Sequence, residues 1–202
     1  MREKPWFAVA YMFAVTAFFS FIVIGLARVT AERVRRNEQL AFERAVLMAL
    51  QMAQGKTAEQ IHQTFVEMIE PVQGENNYGL IRDGELAAYA VGFSGRGFWA
   101  PIRGVIGIEP DRQTVIGIAF YDQKETPGLG GEIVGQTFRR QFENLKLNPG
   151  PRPIEFRPFG ATLDSHQVHA ITGATQTCTR LEHLMNEDIN EWLRIVAQED
   201  TK

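Results

Sequence analysis

The stretch that decides the fold reads YGLIRDGELAAYAV at residues 78–91 and IRGVIGIEPDRQTVIGIAFY at residues 102–121. Each half holds two short apolar runs typical of strands, at 78–82 with 86–91 and at 102–108 with 115–121. Asp83-Gly84 is a strong tight-turn pair, and Glu109-Pro110-Asp111 is also typical of a turn. Two consecutive hairpins predict an antiparallel sheet.

Helical patterns lie on both sides of this sheet. Residues 30–53 contain few helix breakers, and Thr57-Ala58-Glu59-Gln60 is a capping-box pattern that starts a second helix. A third helix is expected around 136–145, a short strand near 154–156, and a last amphipathic helix from about Thr175. Helices before and after a meander of strands predict an α+β domain.

The beginning of the chain predicts a membrane anchor. Residues 6–27 carry no formal charge, and as a helix rising about 1.5 Å per residue they would span about 33 Å, enough to cross a bilayer core. The run is longer than the apolar core of a signal peptide, and the residues after it make a poor cleavage site. We predict a retained anchor at 1–29, a stalk helix at 30–56 and one further domain at 57–202.

Charge is unevenly divided. Residues 1–36 carry six Lys/Arg against two Asp/Glu, and the remainder carries fifteen against twenty-two. An acidic folded part argues against a nucleic-acid partner. Arg2 and Lys4 precede the apolar run and four arginines follow it, so the positive-inside rule favours a cytoplasmic domain. Because long domains translocate largely regardless of flanking charge, the residues alone leave the topology open.

The run Thr172-Gly173-Ala174-Thr175-Gln176-Thr177 opens the last helix. A helix start has unpaired N–H groups and the positive end of the helix dipole, which together favour an anion. Gly173 and Ala174 would let a phosphate approach the backbone closely. The alternative is that Thr175 and Thr177 only cap the helix.

Two glycine-bearing loops interrupt the scaffold. In Glu125-Thr126-Pro127-Gly128-Leu129-Gly130-Gly131-Glu132, Pro127-Gly128 predicts a type II turn. Leu129 is either a lid over an aromatic ring system or a leucine that packs inward beneath an ordinary turn. Gly95-Arg96-Gly97-Phe98-Trp99 fits a dinucleotide fingerprint only in part and lacks the parallel strand context, so we interpret it as a hinge or a close-packed turn.

Together, the loop Glu125-Thr126-Pro127-Gly128-Leu129-Gly130 and the run 172–177 resemble the covalent-FMN domain of two homologous proteins. These are the C subunit of the sodium-pumping NADH:quinone oxidoreductase and the G subunit of the Rnf electron-transport complex. The resemblance extends over nearly the whole chain: anchor, stalk, glycine-aromatic turn, hairpin, glycine loop and terminal helix.

The resemblance implies a covalent cofactor. In this family a flavin transferase that uses FAD esterifies the last hydroxyl of the run with the FMN phosphate, which here is Thr177. The resemblance further implies the remaining cofactor contacts, made by Glu125, Thr126, Gly128, Leu129, Gly130, Trp99, Thr172, Gly173, Ala174 and Thr175. Of these, Thr126 and Leu129 would contact the isoalloxazine, with Trp99 as a wall.

The implied role is a single-pass subunit of an ion-translocating oxidoreductase in the bacterial cell membrane, a redox subunit that is not catalytic alone. Its partners would be other membrane subunits, the flavin transferase and the bilayer, and its FMN domain would face the periplasm or cell exterior. The continuation Gly130-Gly131-Glu132-Ile133 is closer to the sodium-pump type and the short length to the Rnf type. A stand-alone FMN carrier and a membrane-anchored binding or scaffold module without redox activity are the alternatives.

One position departs from the family's usual pattern. The family usually has an Asp three residues before the run, where this chain has His169. His166, His169 and His183 match no compact zinc signature, so no metal is predicted. No catalytic nucleophile and base are predicted, and the single cysteine, Cys178, is expected to be a small buried residue.

Overall fold

The computed structural model describes residues 5–199, so Arg2, Lys4 and residues 200–202 lie outside the described part. The chain divides into two units, Met1–Gln39 and Leu40–Lys202. The first unit contains most of helix α1 (Pro5–Ala49), whose side chains from 6 to 29 are all exposed. Among the described residues, α1 is the one helix long and apolar enough to cross a membrane.

The end of α1 differs from the predicted stalk. Ala45, Val46 and Leu47 are fully buried in the second unit, in a cluster with Ile61 and Leu80. The second unit begins at Leu40, because the apolar side chains of the last helical turns of α1 cover one face of the sheet.

Helix α2 (Ala58–Met68) starts as the sequence predicted. The hydroxyl of Thr57 accepts the N–H of Gln60 at 3.3 Å, and the side chain of Gln60 accepts the N–H of Thr57 at 2.9 Å. This reciprocal capping box satisfies two N–H groups at the helix start.

The sheet is an antiparallel meander of five strands in the order β1 to β5. The strands are β1 (Ile69–Pro71), β2 (Asn77–Arg82), β3 (Glu85–Arg96), β4 (Pro101–Ile108) and β5 (Val115–Asp122). Both predicted hairpins are confirmed, and Asp83 and Gly84 adopt the positive φ angles that their turn requires. Strand β1 was not predicted, because its three residues directly follow α2 and pair with β2 only in the fold.

Alternate side chains of the strands enter two different cores. Along β3, Tyr89, Val91 and Phe93 pack toward the last helix, whereas Ala88 and Ala90 face the end of α1 and α2. This alternation follows from the two-residue period of a strand. The sheet is therefore covered on both faces.

The end of α1 approaches the sheet over two paired glycines. Gly107 and Gly117 are register partners on β4 and β5. A Cβ on Gly107 would overlap the carbonyl oxygen of Ala49, and a Cβ on Gly117 would lie 3.1 Å from it. Glycine at both positions lets the helix end lie directly on the strands.

After β5 the chain forms a 3-10 helix (Gly130–Val134), α3 (Gln136–Arg140), β6 (Glu155–Arg157), β7 (Gln167–His169) and α4 (Thr175–Glu199). Helix α3 is shorter than predicted, because the backbone of Asn144 and Leu145 turns to bond with Val115 at the start of β5. The strand predicted near 154–156 is β6; its parallel partner β7 was not predicted.

Helix α4 is fixed along its length. Trp192 stacks edge-on against Tyr89 with ring centroids 5.0 Å apart. Asn186 exchanges two buried hydrogen bonds with the backbone of Ile154, at 2.9 and 2.8 Å. The N–H of Ser94 donates to Asp188 at 3.0 Å. These contacts hold the first turn of α4 at a defined place beside the sheet.

Candidate functional site

Three segments distant in sequence meet at the start of α4 and enclose a cavity of about 350 Å³. They are the turn after β3, the glycine loop after β5 and the first turn of α4. The lining residues are Phe98, Trp99, Glu125, Thr126, Leu129, Gly130, Gly173, Ala174, Thr175, Gln176 and Thr177.

The glycine loop forms the predicted turn. Gly128 has φ 74°, and the N–H of Leu129 donates to the carbonyl oxygen of Thr126 at 3.1 Å. A second bond from Gly131 to the same oxygen, at 2.9 Å, closes the loop. Leu129 remains 41% exposed and lines the cavity, so the interpretation of a leucine packed inward is wrong.

The first turn of α4 presents free backbone donors. Within α4, the N–H of Cys178 is the first that bonds in the helical pattern, to the carbonyl of Ala174 just before the helix, at 2.9 Å. The N–H groups of Thr175, Gln176 and Thr177 therefore lack intrahelical acceptors. Together with the helix dipole, they make this end of the cavity favourable to an anion.

Thr177 is the buried hydroxyl of the run. It is 4% exposed and donates a hydrogen bond of 2.8 Å to Oε2 of Glu125, which is 5% exposed. Thr172 and Thr175 are exposed, and their hydroxyls make no hydrogen bond within the described chain. The capping alternative is therefore wrong for Thr177 and finds no support at Thr175.

Glu125 is held from several sides. Its Oε1 accepts the N–H of Trp99 at 3.0 Å, and its own N–H donates to the side chain of Gln123 at 2.7 Å. A Cβ on Gly97 would lie 2.5 Å from Oε1, and a Cβ on Gly130 would lie 3.1 Å from Oε2. Two glycines thus leave room for the carboxylate beside Thr177.

The turn after β3 adds aromatic side chains to the lining of the cavity. Phe98 and Trp99 meet edge to face with centroids 5.0 Å apart, and Trp99 is 69% exposed. Because Gly97 donates to the carbonyl of Ala100 at 2.9 Å, residues 97–100 form the close-packed turn expected from the sequence. A mostly apolar pocket with a few polar groups and exposed large apolar side chains at its edge is typical of a ligand site.

Nine of the eleven predicted cofactor-binding residues line this cavity. Gly128 does not line it, and Thr172 lines two neighbouring cavities instead. Phe98 and Gln176 also line the cavity and were not predicted, although both lie inside the two sequence motifs. The signal for Phe98 was its place beside Trp99 in a glycine turn.

His169 lies away from the cavity. It ends β7, where its N–H donates to the side chain of Gln141 at 2.7 Å and its ring packs against Phe159. Cys178 is buried as expected; burial raises the pKa of its thiol, and its sulfur accepts the N–H of Ile171. No group of three or more possible metal ligands occurs within residues 5–199.

Comparison with known proteins gives a consistent result. Residues 97–190 match the profile of a family described as the FMN-binding domain. The C subunit of the Na(+)-translocating NADH-quinone reductase of Pasteurella multocida is 35% identical over 112 residues, 54% of this chain and 42% of that protein. Its Vibrio anguillarum counterpart is 38% identical over 109 residues, 52% of this chain and 42% of that protein. The matched part is thus less than half the length of these curated relatives.

The fold is also found in a solved structure. The crystal structure of the C subunit of the Na(+)-translocating NADH-quinone reductase from Parabacteroides distasonis superposes with a TM-score of 0.68 at 20% identity. The match covers 79% of this chain and 92% of that one. The predicted α+β architecture is therefore confirmed, both by the sheet and helices described above and by this likeness.

Proposed function

Because residues 97–190 match the profile of the FMN-binding domain family, we propose that this chain is a membrane-anchored electron-transfer subunit that carries FMN as a phosphoester on Thr177. One observation carries the proposal. Thr177 has a buried hydroxyl, lies at a helix start with free N–H groups, and lines a cavity that Phe98 and Trp99 also line.

The residues present suit such a group. The N–H groups of Thr175, Gln176 and Thr177 would hold the phosphodiester, whose charge the helix dipole stabilises. Gly173, at φ 80°, leaves the approach open, because a Cβ there would lie 3.0 Å from Leu129. Phe98, Trp99 and Leu129 would flank the flat ring system, and Thr126 lies in the same lining.

FMN, when bound, supplies the redox chemistry, and the protein contributes binding, orientation and local electrostatics. Phe98, Trp99 and Leu129 give the pocket an apolar surface against which a flat ring system would pack. The partial exposure of these same side chains keeps the pocket accessible from outside. A covalent link suits a carrier, since the cofactor is then not lost to solvent between electron-transfer events.

We propose that the chain works within an ion-translocating oxidoreductase. The relatives that it matches are subunits of a Na(+)-translocating NADH-quinone reductase, which favours the sodium-pump type over the Rnf type. Helix α1 would anchor the protein, with the domain on the periplasmic or outer side of a bacterial membrane, where flavin transferases act. The other membrane subunits and the transferase would be its partners.

The main test is covalent flavin itself. The chain is coexpressed with a flavin transferase, purified in detergent and denatured, and its intact mass and visible absorbance are measured. We expect a mass gain of one FMN less one water and a yellow denatured protein. Thr177→Ala should lose both, whereas the matched control Thr179→Ala, an exposed neighbour on the same helix, should keep both.

A wild-type mass equal to that of the bare polypeptide would refute the covalent carrier and favour a module without redox activity. Modification that persists in Thr177→Ala would move the attachment to another hydroxyl. A reporter at the C-terminus tests the placement of the domain, because a cytoplasmic signal there contradicts an outer-side location.

A further inference from the structure

The hydrogen bond between Thr177 and Glu125 joins residues 52 positions apart and is buried at both ends. Glu125 is the only ionisable side chain among the described residues that line the cavity. Of the three hydroxyls in the 172–177 run, only that of Thr177 bonds to a carboxylate. The acceptor hydroxyl and a candidate base thus lie 2.8 Å apart.

We propose that Glu125 takes the proton of Thr177 when the flavin phosphate is transferred, and then keeps it as a neutral carboxyl group beside the phosphodiester. This inference rests on the proposed function, since it concerns how the same site is modified. A positioned base within hydrogen-bond reach is the geometry that general base catalysis requires.

The reaction balances without a redox step. The Oγ–P bond to Thr177 forms as the P–O–P bond of FAD breaks, and AMP is the leaving group. The hydroxyl proton passes to Oε2 of Glu125. The transferase holds the FAD, and this chain supplies the hydroxyl and the proton acceptor.

Esterification also changes what Glu125 faces. The oxygen of Thr177 can no longer donate a hydrogen bond once it is an ester, and an anionic phosphodiester is attached to it. A phosphodiester on Thr177 would put a second negative charge next to the buried carboxylate of Glu125. Like charges in a buried site disfavour each other, so the retained proton would relieve the repulsion. As a neutral acid, Glu125 can donate to an oxygen that it previously accepted from, which keeps the buried contact satisfied.

The surrounding contacts fix Glu125 for this role. Trp99 donates its N–H to Oε1, so Oε2 is the oxygen left for Thr177. Gly97 and Gly130 lie against the two oxygens, and side chains there would displace the carboxylate. Glutamine in place of Glu125 can accept the same N–H through Oε1, but it has no site for the proton.

The test uses the purified chain in detergent with flavin transferase and FAD, and follows the gain in intact mass with time. We expect Glu125→Gln to slow the modification by about 10²–10⁴-fold, the usual contribution of a general base. Glu132→Gln is the matched control, because Glu132 lies in the same loop, bonds to the N–H of Gly128 at 3.1 Å and does not line the cavity. That variant should be modified at the wild-type rate.

A second readout does not depend on the rate. Infrared spectra before and after complete modification should show a protonated carboxyl band that appears with the flavin in the wild type and not in Glu125→Gln. If Glu125→Gln does not fold, as judged by circular dichroism, Glu125→Asp replaces it; its carboxylate is withdrawn from Oγ and should slow the reaction.

The outcomes separate the two proposals. A wild-type chain that gains no mass contradicts the proposed function. If the wild type is modified and Glu125→Gln (or Glu125→Asp in its place) reacts equally fast, the role of Glu125 is overturned and the proposed function is not. Absence of the carboxyl band in the modified wild type overturns the retained proton.

Discussion

Two helix starts in this molecule use threonine in opposite ways. At α2, Thr57 and Gln60 cap each other's backbone N–H groups, so two donors at this start are satisfied by neighbouring side chains. At α4, three threonines lie in or beside the first turn, yet Thr177 bonds to Glu125 and the hydroxyls of Thr172 and Thr175 make no bond within the described chain. The first turn of α4 thus leaves backbone N–H groups uncapped although threonines that could cap them are present. This is expected of a binding site and not of a helix start that serves only stability.

The largest expected effect comes from closing the space beside Thr177. A Cβ in Gly130→Ala would overlap Oγ1 of Thr177, so the hydroxyl must shift away from Glu125. We expect flavin attachment, measured by intact mass, to slow by about 10²-fold, as small displacements of a reacting group do. Overpacking should also cost about 1–3 kcal/mol of unfolding free energy.

The control for that substitution is Gly131→Ala, whose Cβ would instead lie 3.0 Å from the carbonyl of Thr126. It should leave attachment much closer to the wild-type rate. Equal attachment in both variants would show that the space beside the hydroxyl is not critical.

The capping box of α2 gives the next effect. Thr57→Ala should lower the unfolding free energy by about 0.5–2 kcal/mol, because it removes a complete cap. Thr175→Ala should change it by less than about 0.5 kcal/mol, since an exposed hydroxyl without a protein partner is lost. Urea unfolding in detergent measures both; an equal loss at the two positions would erase the contrast between the helix starts.

A negative charge in the first turn of α4 should raise the stability of the protein and slow flavin attachment. Thr175→Asp places an acid in the first turn of α4, which has none, and should stabilise the protein without flavin by about 0.3–1 kcal/mol. The same carboxylate should slow flavin attachment, because its negative charge repels the phosphate and takes its place at the positive end of the helix dipole. Thr175→Asn is the neutral control, and faster attachment in Thr175→Asp would contradict an anion-binding start.

The smallest expected effect is on the melting temperature, and it differs between the first acidic residue of α4 and that of α2. Burial raises the pKa of Glu182 in α4 above its ordinary value of 4.5, although the N–H of Phe156 and the charge of Arg152 oppose the shift. The folded state then prefers the protonated form, so stability falls as pH rises above the ordinary value and the penalty is complete above the folded pKa. Glu182→Gln should therefore raise the melting temperature at neutral pH and leave it unchanged in acid.

Glu59→Gln, at the exposed start of α2, should change the melting temperature in the opposite sense, because it removes a favourable first-turn acid. Stabilisation by Glu182→Gln that persists at pH below the ordinary value would contradict the burial argument.

The sequence predicted what local patterns determine. Asp83-Gly84 sets a hairpin through its own backbone preferences, and Thr57 with Gln60 defines a helix start within four residues. Strand β7 and the burial of residues 40–49 could not be predicted, because both depend on partners far along the chain. The site divides in the same way: its two motifs are local patterns, but the pairing of Glu125 with Thr177 exists only after folding.

The paired glycines under the end of α1 decide where a fragment without the membrane segment can begin. Gly107 and Gly117 leave bare backbone that the carbonyl of Ala49 covers. A fragment cut at residue 57 would uncover that backbone and the apolar side chains around it, and is expected to aggregate during expression. One that begins at residue 40 retains the whole second unit and is the natural starting point for crystallisation and redox titration.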